Sequence, residues 1–575
     1  MTRPDMSLKL SSLLSDLGKY SPPQPRASVD LRLDSNEGPM PPSWLLDEAA
    51  GAGTELIRRY PDAASLERRI SAMIGVDPRQ VVVTAGADDA IERAVRMVLA
   101  PGREIILPVP TFEMLEIYPK MTGCRIVEVP WLEGGFPVEA VLRAVNERTS
   151  LIAVVTPNNP TGLSATAADL DRLSRGAPDA LLLVDLAYAD FAGTDLTLQA
   201  IGLPNAIVAR SMSKAWGIAG LRVGFAAGRP EIIDWMRTMG HPYAVSSLSL
   251  RLAEAHLERG GAGVALFVER VKRERAALWS LLRDLGAEAL PSDANFVLGR
   301  FRDAEWVREA LLSLGIAVRI FPGRPLLDDC LRISLPGDDG VFARLVGALR
   351  TVLAPEAILF DIDDTMADVT ESYRQATLAT AGHFGHEATP ADITAAKAAG
   401  NANNDWELTW RLVRSGGIDV SLAEVTERFE DLYQGRDGRP GLHERETLLA
   451  DRGLFERLAA RFKLGAVTGR PRRDAHHFLE RQGIAGLFGT VVAMEDAPPK
   501  PDPASVRLAM ERLGASRAWM VGDTPDDVRA AMGAGAVPIG VIAPADDPKI
   551  ARPALVKAGA ARILARLAEI EEILK

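Results

Sequence analysis

Cysteine is nearly absent. The 575 residues hold two, Cys124 and Cys330, far apart in sequence. That excludes a disulfide framework, fits a reducing compartment, and leaves both as small packing residues. A basic excess is missing too. Lys and Arg number 66 against 77 Asp and Glu, a net charge of -11, and a nucleic-acid binder needs a basic surface. Small anionic substrates, which need only a local basic pocket, are not excluded. No stretch approaches the roughly 20 apolar residues that span a bilayer. The first ten residues, MTRPDMSLKL, are polar and offer no apolar core of signal-peptide length. No His or Cys cluster has zinc-ligand spacing, and no short repeat or heptad run stands out. These absences predict a cytoplasmic protein with neither membrane nor nucleic-acid partners.

What is present is ordinary globular composition, 47% hydrophobic and 25% charged, in a chain too long for one core. Short apolar runs such as Val81–Val83, Ile105–Leu107, Leu151–Val155, Leu181–Val184 and Ala206–Ala209 alternate with amphipathic helical segments. Near-continuous apolar runs suit strands buried on both faces, and alternation with helices predicts an α/β fold with parallel strands. The pattern restarts at Ala357–Phe360, then Leu464–Val467 and Ala518–Val521, after the joint Leu353-Ala354-Pro355-Glu356. The expected division is residues 1–354 and 355–575. The first half would hold a small domain from about 1–35 and 270–354 around a large one at about 36–269. The second would carry a helical cap at about 370–455.

One lysine in the first half has the setting of an imine-forming residue. In Ser211-Met212-Ser213-Lys214, followed by Arg222, a lysine just past a buried strand sits among hydroxyls and a guanidinium. A desolvated lysine can be neutral enough to form a Schiff base, and its neighbours suit a phosphate tail. Ala85-Gly86-Ala87-Asp88-Asp89 opens a helix whose first N–H groups favour a phosphate. Thr156 to Gly162 contains Asn159, Val184 to Tyr188 contains Asp185, and Pro108 to Phe112 offers an aromatic face.

Together, in this order, these motifs resemble fold-type I pyridoxal-phosphate (PLP) aminotransferases, and among them the histidinol-phosphate aminotransferase family, over about residues 16–350. The resemblance implies that Lys214 carries PLP as a Schiff base and then moves the proton. It places Asp185 at the pyridinium nitrogen, Asn159 and Tyr188 at the ring oxygen, and Phe112 on the ring face. Ala87, Asp88, Ser211, Ser213 and Arg222 would hold the phosphate. Leu33 to Glu37, which includes Asn36, Arg59-Tyr60-Pro61-Asp62 and Leu17 to Tyr20 look like further family segments. In the family the tyrosines matching Tyr20 and Tyr60 act across a dimer interface, which implies a homodimer. Arg332 and Arg319 match its substrate arginines, suited to glutamate, 2-oxoglutarate and a phosphorylated keto or amino compound. Three departures bear on the amino acceptor: Leu186 follows the pyridinium aspartate, Gly38-Pro39 stands for Asn-Pro, and Ser334 to Gly337 replaces the family segment. An aromatic or other amino-acid aminotransferase is the alternative. The His-Gly-Gly-Asn segment of threonine-phosphate decarboxylases is not present.

The second half sets carboxylates at strand ends. Asp361 and Asp363 follow Ile358–Phe360, and carboxylates facing a phosphate call for a cation such as Mg²⁺. Thr468 in Val467-Thr468-Gly469-Arg470, Lys500 in Pro499-Lys500-Pro501, and Asp523 and Asp527 follow in order. The set resembles the haloacid dehalogenase superfamily over about residues 356–545, which implies a Rossmann-like core. By that resemblance Asp361 is the nucleophile, Asp363 the acid/base, and Thr468 and Lys500 the phosphate ligands. Asp361, the Asp363 backbone carbonyl and Asp523 would hold Mg²⁺, with Asp527 behind them or turned to Lys500. Asp363 favours a phosphatase over a dehalogenase. Asn401 to Trp406 in the cap reads as a plain loop, and His476 and His477 as solvated.

The pairing predicts a bifunctional enzyme that makes histidinol phosphate and hydrolyses it. The rival readings are a phosphate-sensing second half and two enzymes of unrelated substrates.

Overall fold

The computed structural model describes residues 29–574 except 325, 401 and 437, together with residues 11 and 13. Contacts divide the chain into two compact units. Leu33–Arg302 and Val318–Ala343 belong to the first, Asp303–Ala317 and Arg344–Lys575 to the second.

The first unit is built on a seven-stranded sheet. Its order is Val81–Thr84, Gly224–Gly228, Ala206–Ser211, Leu181–Asp185, Thr149–Val155, Glu104–Val109, Arg125–Pro130. Only Gly224–Gly228 runs antiparallel to its neighbours. Every residue of the first six of these strands is buried. Helices on both faces explain why these runs read as continuously apolar rather than alternating. A smaller antiparallel sheet pairs Phe296–Arg300 with Cys330–Ser334, and the far end of Ile316–Ile320 with the latter strand. That register sets Arg319 opposite Arg332.

The second unit has a six-stranded, all-parallel sheet. The order is Phe488–Val492, Lys463–Val467, Ala357–Phe360, Ala518–Gly522, Val537–Val541, Arg562–Leu564. Strand order reverses at Ala357–Phe360, so a crevice opens beyond the carboxyl ends of that strand and its neighbours. Four helices, Tyr373–His383, Pro390–Ala399, Asp405–Ser415 and Leu422–Gln434, form the insert between Ala357–Phe360 and Lys463–Val467. A two-stranded ribbon, Ala367–Asp368 with Thr447–Leu448, closes its base. The helix Ala304–Ser313 and the end of Asp339–Leu353 belong to this unit because Trp519 anchors them. Its buried indole donates to the Thr351 carbonyl at 2.9 Å and meets Trp306 edge-on at 5.1 Å. Among the described residues, no helix is long and apolar enough to cross a membrane.

Candidate active sites

In the first unit the motif residues converge at the carboxyl ends of the central strands. Lys214 lies three residues past Ala206–Ser211, half-buried. Its ammonium donates to the Ser35 carbonyl at 3.4 Å and lies 5.6 Å from the Tyr188 ring centre. Asp185 ends the adjacent strand, 3% exposed. One carboxylate oxygen accepts from the Ala187 N–H at 3.0 Å, and burial pushes its pKa up to about 7. Asn36, in the left-handed region at φ 52°, donates to the Tyr188 hydroxyl at 3.0 Å. The Ser334 hydroxyl donates to its side-chain oxygen at 2.7 Å. Arg332 donates to the Asn159 side-chain oxygen at 2.5 Å and to the Asp34 carbonyl at 2.7 Å. One guanidinium thus ties three distant segments together.

The phosphate-side residues also meet. The helix Gly86–Val98 points its first turn at Arg222, whose guanidinium donates to Asp88 at 2.8 Å. The Ser211 hydroxyl accepts from the Ser213 N–H at 3.1 Å. A Cβ on Gly86 would stand 2.8 Å from the Arg222 guanidinium, and one on Gly224 would stand 2.8 Å from the Ala87 nitrogen. The glycines let a helix N-terminus, with its outward N–H groups, close on a strand and a cation. This cradle fits a phosphate, and buried Asp185 fits a protonated ring nitrogen, so the residues suit PLP. Phe112 is half-buried at the rim. Gly38 has a packing reason: a Cβ there would sit 1.8 Å from the Lys214 carbonyl oxygen. Arg319 pairs with Glu113 at 3.1 Å. Tyr60 is 78% exposed and stacks on Tyr243 with ring centres 4.4 Å apart. Tyr20 lies outside the described residues.

Asp185 makes stability depend on pH. Its folded pKa of about 7 exceeds the ordinary 3.8, so the folded chain holds a proton that the unfolded chain releases. That contribution is full below about pH 4 and is lost as pH rises through about 7. Asp185→Asn removes the dependence. The apoprotein's stability difference between wild type and variant should change by on the order of 4 kcal/mol across that window, seen in denaturant midpoints.

The second unit gathers its motif residues in the crevice at the switch point. Asp361, Asp523 and Asp527 bring one oxygen each within 4.8 Å of one another. Lys500 pairs with Asp361 at 2.9 Å, pairs with Asp527, and donates to the Val467 carbonyl at 3.2 Å. Asp527 therefore faces Lys500, while its other oxygen accepts from the Thr524 N–H at 3.0 Å and hydroxyl at 2.6 Å in a capping box. Gly522 permits that approach, since a Cβ there would lie 2.3 Å from the Asp527 carboxyl carbon. Burial, with Asp527 and Asp363 nearby, pushes Asp361 up to about 7 against the pull of Lys500, and burial lifts Asp523 well above the carboxylate range. One oxygen of Asp523 is buried without a hydrogen-bond partner among the described residues. Buried, crowded and under-bonded carboxylates of this kind fit a hard divalent cation such as Mg²⁺. Thr468 is buried at the end of Lys463–Val467, where its hydroxyl accepts from the Arg470 N–H at 3.1 Å.

Four residues were not assigned a role from sequence. Arg470, 2% exposed, donates to one oxygen of Asp363 at 2.9 and 2.6 Å and to Glu446 at 2.8 Å. Lys397, on the cap helix Pro390–Ala399, donates to Asp364 at 2.6 Å and Asp523 at 2.9 Å. Arg374 donates to Asp364 at 2.7 Å and Asp546 at 2.8 Å. Asp405 opens the helix Asp405–Ser415 beside Asp363, Lys397 and Arg470. The plain-loop expectation is corrected here for 402–406, residue 401 lying outside the described residues. Asn404 caps that helix, and Asn403 donates to the Lys500 carbonyl at 3.1 Å and to Asp526 at 3.0 Å. Gly469 leaves room for it, because a Cβ would lie 2.0 Å from the Asn403 carbonyl oxygen. A lysine inside Ala395-Ala396-Lys397-Ala398-Ala399 was the available signal, since a lone charge in an apolar stretch implies a buried partner. His476 and His477 are exposed. Arg470→Met strips the counter-charge from two carboxylates, and should lower stability by about 3–5 kcal/mol in denaturant unfolding. A loss under about 1 kcal/mol would mean that Asp363 and Glu446 are solvated without it.

Residues 27–349 match the family described as aminotransferase class I and II. The chain belongs to that family. Residues 355–535 match the haloacid dehalogenase-like hydrolases. The chain is thus an enzyme with an aminotransferase and a hydrolase domain. It is 34% identical over 337 residues to the histidinol-phosphate aminotransferase of Paracoccus denitrificans, covering 57% of this chain and 90% of that one. It is also 50% identical over 197 residues to an imidazoleglycerol-phosphate dehydratase of Phytophthora nicotianae. That match takes in 33% of this chain, which spans only 44% of that relative's length. Among solved structures, histidinol-phosphate aminotransferase from Sinorhizobium meliloti, in complex with pyridoxal-5'-phosphate, shares the fold. The TM-score is 0.54 at 24% identity, covering 60% of this chain and 97% of that one.

Proposed function

We propose that this aminotransferase carries out histidinol-phosphate:2-oxoglutarate-type transamination at Lys214 and Mg²⁺-dependent hydrolysis of a phosphate monoester, histidinol phosphate, at Asp361. The carrying observation is that one chain holds both a Lys214–Asp185 cradle and an Asp361–Asp523–Asp527–Lys500 cluster. The two relatives above, named for phosphorylated imidazole compounds, support the choice of substrate.

PLP, when bound, supplies an electron sink for the pair released as the substrate's Cα–H bond breaks. Asp185 pairs with the ring nitrogen and keeps it protonated. Arg222, Ser211, Ser213 and the N–H groups of Ala87 and Asp88 hold the phosphate. Tyr188 and Asn159 bind the ring oxygen, and Phe112 covers the ring. Lys214 Nζ takes the proton from Cα and returns it on the cofactor side. Arg332 and Arg319 receive the substrate anion together with Asn36, Tyr20 is proposed as a further substrate ligand, and Tyr60 as a cofactor ligand. The exposed Tyr60–Tyr243 stack supports a homodimer, and the scarcity of cysteine supports a cytoplasmic one.

At the second site Asp361, Asp523 and the Asp363 carbonyl would hold Mg²⁺, which would neutralise the carboxylates that face an incoming phosphate. Asp361 attacks phosphorus, so that an Asp361–phosphorus bond forms as the ester oxygen–phosphorus bond breaks. Asp363 protonates the departing alkoxide. Arg470 donates to one of its oxygens, and the other is the one proposed to pass the proton. The same oxygen then takes a proton from the water that releases phosphate. Thr468 and Lys500 bind the phosphoryl oxygens.

A panel of phosphate monoesters and of amino acceptors tests the pairing. Histidinol phosphate should lead the first panel and imidazole-acetol phosphate the second. Leaders with no common carbon skeleton would instead mean two unrelated enzymes.

A further inference from the structure

Each of the four buried cations of the second site is matched by two carboxylates. Arg374 holds Asp364 and Asp546, Lys397 holds Asp364 and Asp523, Arg470 holds Asp363 and Glu446, and Lys500 holds Asp361 and Asp527. Asp405 is the further acid among them, and its carboxylate receives no hydrogen bond from a described residue. Carboxylates therefore exceed cations before any ligand enters. A divalent metal and a phosphate dianion cancel each other and leave that excess in place.

Asp405 stands near Asp363, the proposed acid for the leaving group. It lines a small cleft with Tyr373, Trp406, Gly469 and Arg470. Arg470 joins this cleft to Asp363. The Trp406 indole is oriented by donating to Glu430 at 3.0 Å, and Tyr373 is 5% exposed. The Arg470 guanidinium already stands 4.9 Å from the Tyr373 ring centre, which leaves the Trp406 ring and the Asp405 carboxylate as the groups open to a small cation.

We propose that Asp405, with Trp406, selects phosphate esters of small alcohols that carry a protonated amine next to the ester. This rests on the phosphatase reading of the Asp361 site and names the substrate class of that site. Asp405 is a specificity-determining residue that touches the leaving group's ammonium and takes no part in phosphoryl transfer.

The test compares 2-aminoethyl phosphate with propyl phosphate, its uncharged counterpart, on the full chain with Mg²⁺. Phosphate release is read, because the Lys214 site cannot produce it. The amine ester should be preferred about tenfold or more in kcat/KM, as expected for one charge-assisted hydrogen bond. Asp405→Asn should collapse the ratio towards unity, mainly through KM for the amine ester, and Asp405→Glu should restore part of it. Equal rates in wild type, or a ratio that survives Asp405→Asn, overturns the subsite while the phosphatase reading stands. If neither ester nor histidinol phosphate releases phosphate, the phosphatase reading falls. Calorimetry then decides the subsite, since binding at the Lys214 site is common to wild type and Asp405→Asn. Tighter amine-ester binding that depends on Asp405 keeps the subsite, and identical isotherms overturn it.

Discussion

Replacing Lys214 with alanine removes the visible absorption band of the holoenzyme and lowers transamination by about 10²–10⁴-fold, the usual loss when a positioned proton-transfer group is deleted. The effect is large because, among the described residues, the other cations of the site are guanidinium groups, which form no Schiff base. Arg222 is pinned to Asp88, Arg332 to Asn159, and Arg319 to Glu113. The loss should fall on kcat, because the cradle around Ala87, Ser211 and Arg222 is untouched by the substitution. An unchanged spectrum would remove Lys214 from the mechanism.

Asp361→Asn should eliminate phosphate release while sparing the glutamate half-reaction. The amide keeps the shape but is no nucleophile, and deleting a nucleophile in a concerted site costs on the order of 10⁶-fold. Stability should move the other way. Burial and two neighbouring acids hold Asp361 at about 7, so neutralising it relieves an unfavourable charge. A variant that no longer releases phosphate yet unfolds at a higher denaturant concentration is the expected signature. Full phosphate release from Asp361→Asn would place the nucleophile elsewhere.

The fold was largely legible because buried parallel strands write themselves as continuous apolar runs. Asp185, Asp361 and Thr468 stand at or just beyond the ends of three such runs, as Asp523 does after Ala518–Gly522. What could not be read was which distant groups meet. Arg332 and Asn159 are 173 residues apart, and Lys397 and Asp523 are 126 apart. Local pattern carries no information on such pairings, which only the packed chain supplies. The helix Ala304–Ser313 shows the same limit. Its amphipathic pattern announces a helix with one apolar face, and only the contact of Trp306 with Trp519 reveals what that face covers. Asp405 was hidden for another reason: an acid at the start of a helix is ordinary, and its meaning comes from Asp363 and Arg470 beside it.

The most direct measurement of the central claim supplies the purified chain with imidazole-acetol phosphate, glutamate and Mg²⁺ and follows 2-oxoglutarate and inorganic phosphate together. The account predicts that both appear, with phosphate depending on Lys214 as well as on Asp361, because the first site makes the ester that the second cleaves. Formation of 2-oxoglutarate without phosphate would contradict it.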